Sequence, residues 1–294
     1  MYFLILNILF SSCFILCVKW VQGHRKMDVV TVGSINYIAA ALCALPAFLN
    51  VQPSEKVGHA VWTGSTMGTC YFVAFFFLIY AVKWVGASNS AAVSRVSLVI
   101  PICLGIWLWG ESPDYFQAFG ICLAFVSLFM IGRNSTRSRT AGMDTRVISQ
   151  WWIFFVLGVF FLICGASRLT QQTCKQLCDG IKDYPVFLQS AFLCAAIPSF
   201  VVLFWRKQKI SLLEVVVGFL LGLTNILQSH YILRSLDTYE GFLVFTVTST
   251  GGLVFTTAVA VLYFKEKLSG QSVIGIGVAS LSIVFLQVPF AEWF

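Results

Sequence analysis

The chain has 294 residues, of which 59% are hydrophobic and only 11% charged, with a mean hydropathy of +0.86. Soluble domains carry roughly 25% charged residues, and a soluble domain of this size could not hide so much apolar surface from water, so lipid is the solvent the composition calls for. The net charge of +7 does not signal nucleic acid, because the basic residues punctuate apolar stretches and never interleave with aromatics in a polar domain.

A membrane span needs about 20 mostly apolar residues, and ten stretches qualify in chain order. They run over 2–19, 29–49, 61–83, 87–109 and 115–132, and then over 151–171, 185–205, 212–234, 242–264 and 271–289. The first has no basic n-region before it and no small-residue cleavage pattern after it, so it is expected to remain as a span. Residues 133–150 (RNSTRSRTAGMDTRVISQ) form the longest polar segment and the expected linker. Most of the ten cysteines lie in apolar runs and behave as small hydrophobes. Cys174 and Cys178 stand four apart, but with no His or further Cys nearby no metal site is expected.

One block occurs twice. Residues 105–129 read GIWLWGESPDYFQAFGICLAFVSLF and residues 260–284 read AVLYFKEKLSGQSVIGIGVASLSIV, with Glu111 falling on Glu266 and Gly120 on Gly275 at an offset of 155. Ala44-Leu45-Pro46-Ala47-Phe48 is echoed by Ala196-Ile197-Pro198-Ser199-Phe200 at an offset of 152. A near-constant offset in an apolar chain marks a doubled unit of the kind from which secondary transporters are built. The expected organisation is a first five-helix repeat over 1–132, the polar linker 133–150, and a second repeat over 151–294. Five spans per repeat is an odd number, so the second copy enters the membrane from the opposite side and the two halves have inverted topology. The expected fold is therefore an all-α integral membrane protein of ten transmembrane helices in two inverted five-helix repeats, with both termini on one side.

Loop charge sets the expected orientation. Thirteen Lys and Arg follow spans 1, 3, 5, 7 and 9, against four after spans 2, 4, 6 and 8. The rule puts the first set of loops in the cytoplasm and both termini outside.

The repeated block resembles the EamA-type domain of the drug/metabolite transporter superfamily. The residues that carry the resemblance are Trp107-Leu108-Trp109-Gly110-Glu111-Ser112 leading to Gly120, and Leu262-Tyr263-Phe264-Lys265-Glu266-Lys267-Leu268-Ser269 leading to Gly275. Pro101 also fits the family's proline in the fourth span, whereas Thr256 takes that place in the second half. The resemblance implies a ten-helix inverted-repeat carrier of small metabolites or toxic solutes in the cytoplasmic (plasma) membrane. The family picture places both termini in the cytoplasm, opposite to the loop charges.

Carriers of this build bind near the bilayer midplane, where polar residues are costly unless they face a cavity or a partner. Arg95 is the sharpest candidate, about eight residues into the fourth span. Its guanidinium suits an anionic or zwitterionic solute, or else a structural role on backbone carbonyls. Asn36 and Tyr37 lie in the second span, Asn225 and Gln228 share a face of the eighth, and Asn7 with Ser11 shares one of the first. Each of these serves either substrate recognition or interhelical hydrogen bonding. Thr246, Thr248, Ser249, Thr250, Gly251 and Gly252 make the ninth span small and polar, suited to a cavity wall. Arg168, Thr170, Gln171 and Gln172 are expected to mark the end of the sixth span. Glu111 and Glu266 are expected to be structural, tying their turns or pairing with Lys265 or Lys267. Gly64-x-x-x-Gly68 and Gly218-x-x-x-Gly222 let helix backbones approach closely. Pro46, Pro101 and Pro198 loosen their spans at potential hinges.

No catalytic constellation, cofactor motif or metal site is read from the chain. The expected partners are a small-molecule substrate and the lipid bilayer, with no nucleic acid, and the choice between monomer and homodimer is open. The alternatives are a drug or toxic-solute exporter of the same fold, and a non-transporting membrane sensor or enzyme. Glu214 is the only carboxylate inside a span, barely one turn in. That argues against cation export through an embedded carboxylate.

Overall fold

A computed structural model describes residues 1–23, 27–52, 54–85, 93–137, 150–206, 210–264 and 270–287. Among the described residues the regular structure is helical, with no strands. In chain order the helices are α1 (Tyr2–Gly23), α2 (Val29–Leu49), α3 (Val57–Val85), α4 (Val99–Trp109), α5 (Tyr115–Arg137), α6 (Gln150–Leu177), α7 (Tyr184–Arg206), α8 (Leu212–Thr238), α9 (Gly241–Phe264) and α10 (Gly270–Gln287). Among the described residues five are long and apolar enough to cross a membrane: α2, α3 over Val57–Ala81, α6 over Phe155–Leu177, α7 and α8. Tyr2–Val18, Val93–Trp109, Tyr115–Val126 and Gly241–Thr256 are shorter apolar helices.

Local chemistry explains several boundaries. Asp28 starts α2 by accepting hydrogen bonds from the Thr31 N–H at 2.9 Å and the Thr31 hydroxyl at 2.8 Å. Ser211 and Glu214 start α8 with a reciprocal capping box. Gly110 ends α4 in the left-handed region at φ 66°, where its missing Cβ removes the steric penalty. Several helices run further than their hydropathy suggested. α6 continues to Leu177 and α8 to Thr238, so Arg168, Thr170, Gln171 and Gln172 lie inside α6 and do not mark its end. α5 likewise carries its helix into the polar stretch as far as Arg137.

The chain divides into two compact units. The first holds residues 1–75 and 166–239, and the second holds residues 76–165 and 240–294, so each draws on both halves of the sequence. In the first unit α2 packs against α7 and α8, and α1 packs against α8. Its core joins Tyr37, Ala40 and Ala41 of α2 to Phe187, Leu188, Ala191, Phe192 and Ala195 of α7. Glycines set the closest approaches. A Cβ on Gly64 or Gly68 would collide with the carbonyl oxygens of Phe187 and Ala191, and one on Gly218 or Gly222 would lie 2.6 Å from Ile35 or 2.7 Å from Ala39. In lipid such contact, by van der Waals packing, is what holds helices together.

In the second unit α5 packs along α10, and α9 packs against α4, α5 and α10. The Ser282 hydroxyl donates to the Gly120 carbonyl at 2.7 Å, and the Phe285 ring stacks on Phe116 and meets Phe119 edge-on. Gly165 of α6 leaves room for Ile100 of α4.

Candidate functional site

The sequence-predicted polar residues fall into two groups, one in each unit. In the first unit four amides form a line across three helices. Asn7 Nδ2 of α1 donates to the Gln228 carbonyl of α8 at 2.6 Å. Gln228 Nε2 donates to Asn225 Oδ1 at 2.9 Å, and Asn225 Nδ2 donates to Asn36 Oδ1 of α2 at 3.3 Å. Asn7, Asn36 and Asn225 are each more than nine-tenths buried. The Gly218–Gly222 crossing positions this line, because it brings α8 against Asn36 and Ala39 of α2. Ser11, expected beside Asn7, instead donates to its own helix at the Ile8 carbonyl.

Tyr37 follows Asn36 in sequence but turns to a different partner. Its hydroxyl donates to the Tyr71 carbonyl of α3 at 3.0 Å, and Gln171 Nε2 of α6 reaches the Tyr71 hydroxyl at 3.4 Å. Gln171 is a residue the sequence reading placed at a span end; the helix runs on and buries it. Its signal was the Ser167, Thr170, Gln171, Cys174 spacing, which follows one helical face and is buried throughout. The Gln189 side-chain oxygen and the Ser229 hydroxyl of the same unit are also buried, with no hydrogen-bond partner among the described residues.

In the second unit Arg95 and Ser249 come together. The buried Arg95 guanidinium donates through Nη1 to the Ser249 carbonyl, and through Nη2 to the Thr256 hydroxyl at 3.4 Å. Arg95 does not sit within a continuous fourth helix. Residues 93–96 are helical and the helix breaks at Ser97 and Leu98 before α4 begins, while 87–92 of the expected span lie outside the described residues. Pro101 is the physical reason. It has no N–H for the Ser97 carbonyl, and its ring crowds that carbonyl. The Ser97 carbonyl accepts instead from Ile100 at 3.1 Å, and the Ser97 hydroxyl donates to Ser94 at 2.7 Å.

Three threonines of the polar ninth span turn their hydroxyls back on their own helix. Thr246, Thr248 and Thr256 donate to the carbonyls of Phe242, Val244 and Gly252, each four residues back. Thr250 is buried and its hydroxyl has no hydrogen-bond partner among the described residues.

Glu111 caps a helix, a structural role. Its two carboxylate oxygens accept from the backbone N–H groups of Gly241 at 2.9 Å and Phe242 at 3.0 Å. The carboxylate thus caps the first turn of α9, where N–H groups lack helical partners and the helix dipole favours negative charge. Glu266, Lys265 and Lys267 lie outside the described residues. Glu214 is likewise committed, accepting from Ser211 and from the Asp28 N–H at 2.9 Å.

Apolar helices of this length with buried amides and a buried guanidinium define an integral, multi-pass membrane protein. Residues 1–133 match the model of the EamA-like transporter family. An uncharacterized protein of Haemophilus influenzae is 26% identical over 271 residues, covering 89% of each chain. A solved crystal structure matches 99% of this chain and 97% of its own with a TM-score of 0.73 at 12% identity, a likeness of fold.

Proposed function

We propose that the protein is a secondary carrier of the cytoplasmic membrane that moves a small polar metabolite by alternating access. In this reading the chain makes ten spans, and residues 1–132 and 151–294 are inverted repeats joined by 133–150. Reciprocal packing supports the repeat. Gly64 and Gly68 of α3 meet Phe187 and Ala191 of α7, and Gly218 and Gly222 of α8 meet Ile35 and Ala39 of α2. The glycines are 154 residues apart and their partners 152 apart, as expected when each half offers the same surface to the other.

The observation that carries the function is the buried amide line Asn7–Gln228–Asn225–Asn36. Amides are costly among apolar helices unless they serve packing or a polar solute. Two buried acceptors in the same unit, Gln189 Oε1 and Ser229 Oγ, favour a solute that brings N–H or O–H donors. In the second unit, taken by itself, Arg95 with Ser249 and Thr256 favours an anionic or zwitterionic solute.

A metabolite screen that follows the melting temperature of the purified protein tests the reading, since a solute that binds the folded state raises it by mass action. The expected result is stabilisation by amino acids, carboxylates or phosphorylated compounds that is lost in Asn225→Ala and Arg95→Ala. Stabilisation only by hydrophobic cations would overturn it in favour of drug export.

A further inference from the structure

Asp28 and Asp183 are 155 residues apart, the spacing that also relates Glu111 to Glu266. Each immediately precedes a helix, α2 or α7. The backbone carbonyl of each accepts from the N–H four residues on, Val32 at 3.0 Å and Phe187 at 2.9 Å. Each side chain then reaches the far end of the other helix. Asp28 Oδ2 accepts from Arg206, the last residue of α7, at 2.6 Å. Asp183 Oδ2 accepts from the hydroxyl of Ser54, just beyond the end of α2, at 2.7 Å. The two helices therefore run antiparallel, and the aspartate that starts one is tied to the residue that ends or follows the other.

Between the two ties the shared core contains small side chains, Ala40 and Ala41 on one helix and Ala191, Ala195 and Ala196 on the other, beside the larger Tyr37, Phe187, Leu188 and Phe192. Each helix also contains a proline, Pro46 or Pro198, which removes one helical hydrogen bond ahead of the C-terminal end that the opposite aspartate holds.

We propose that the Asp28–Arg206 and Asp183–Ser54 ties are alternating latches of a rocking α2–α7 pair, so that release at one end tightens the other. This rests on the carrier reading, and it gives that motion two named contacts at opposite ends of one helix pair. The latches differ in chemistry. The Arg206–Asp28 bridge is ionic, with side chains 35% and 34% exposed, so salt screens it. Asp183 is fully buried, and its partners, the Ser54 hydroxyl and N–H and the Asp179 N–H, are neutral. The Arg206 end is thus the one that the surrounding solution unlatches.

Hydrogen–deuterium exchange on the full-length protein in lipid nanodiscs tests this. Arg206→Gln should make exchange severalfold faster around Asp28–Thr31 and the end of α7, and slower around Ser54–His59 and Asp179–Phe187. Ser54→Ala should give the mirror pattern, and raising salt on the unmodified protein should act as Arg206→Gln does. The salt arm needs no variant to fold. Faster exchange confined to the altered end, with no slowing at the other, would show two independent clamps and overturn the proposal. No substrate is required, so loss of the reciprocal pattern in a protein that metabolites still stabilise sinks the latches and spares the carrier reading.

Discussion

Gly68 of α3 and Ala191 of α7 meet with no room for a methyl group between them, because a Cβ on the glycine would overlap the alanine carbonyl oxygen. Gly64 stands in the same relation to Phe187 one turn away. Backbone cannot yield as a flexible side chain does, so Gly68→Ala should force the helices apart and destabilise the protein by about 1–3 kcal/mol, the usual range for overpacking. Gly158→Ala, with nothing within 4 Å of the new methyl, is the control and should be neutral or slightly stabilising. Thermal unfolding in detergent compares the two. Equal melting temperatures for both variants would refute the close crossing.

Glu111 holds the first turn of α9 through both carboxylate oxygens. Glu111→Ala leaves two buried N–H groups without that acceptor, and should cost about 1–3 kcal/mol. Glu111→Gln keeps one acceptor oxygen but presents an amide NH2 to the other N–H, so it should recover only part of the loss. Melting curves of the two variants read this directly. Exchange of the Gly241 and Phe242 amides should rise in both.

How much of this was legible in the sequence depends on how local the cause was. The Gly64–Gly68 and Gly218–Gly222 spacings announced close crossings because four residues is one helical turn, and Asn225 and Gln228, three apart, bond to each other for the same reason. The α9 cap was not legible, because Glu111 and Gly241 are 130 residues apart in the chain. Arg168 to Gln172 were misread as a span end because polar residues lower hydropathy wherever they lie. Only the fold shows that Thr170, Gln171 and Gln172 are buried and that Gln171 reaches toward Tyr71. Arg95 was placed deep in one helix, whereas Pro101 acts four residues upstream and breaks that helix at Ser97.

That break gives a further prediction. Pro101→Ala restores an N–H that can bond the Ser97 carbonyl, and it removes the ring that crowds it. The segment from Arg95 to Ile102 should then become continuous helix, with slower amide exchange from Ser97 to Ile102. If Arg95 depends on the break to reach Ser249 and Thr256, the same variant should lose part of the metabolite stabilisation while melting no lower than the parent. Unchanged exchange across Ser97 to Ile102 would mean that the proline is not what interrupts the helix.

The amide line predicts an order of coupling. Asn225 both donates to Asn36 and accepts from Gln228, whereas Asn7 bonds only the Gln228 backbone carbonyl, which side-chain substitution leaves in place. A double-mutant cycle on Asn36→Ala and Asn225→Ala should therefore show a coupling energy near the roughly 0.6 kcal/mol typical of hydrogen bonds between membrane helices. A cycle on Asn7→Ala and Gln228→Ala should show close to none, because the bond survives truncation of Gln228. Reversible unfolding in bicelles measures both cycles. The opposite order would mean that Asn7 bonds the Gln228 side chain and that Asn225 and Asn36 do not bond each other, which would break the line between α8 and α2.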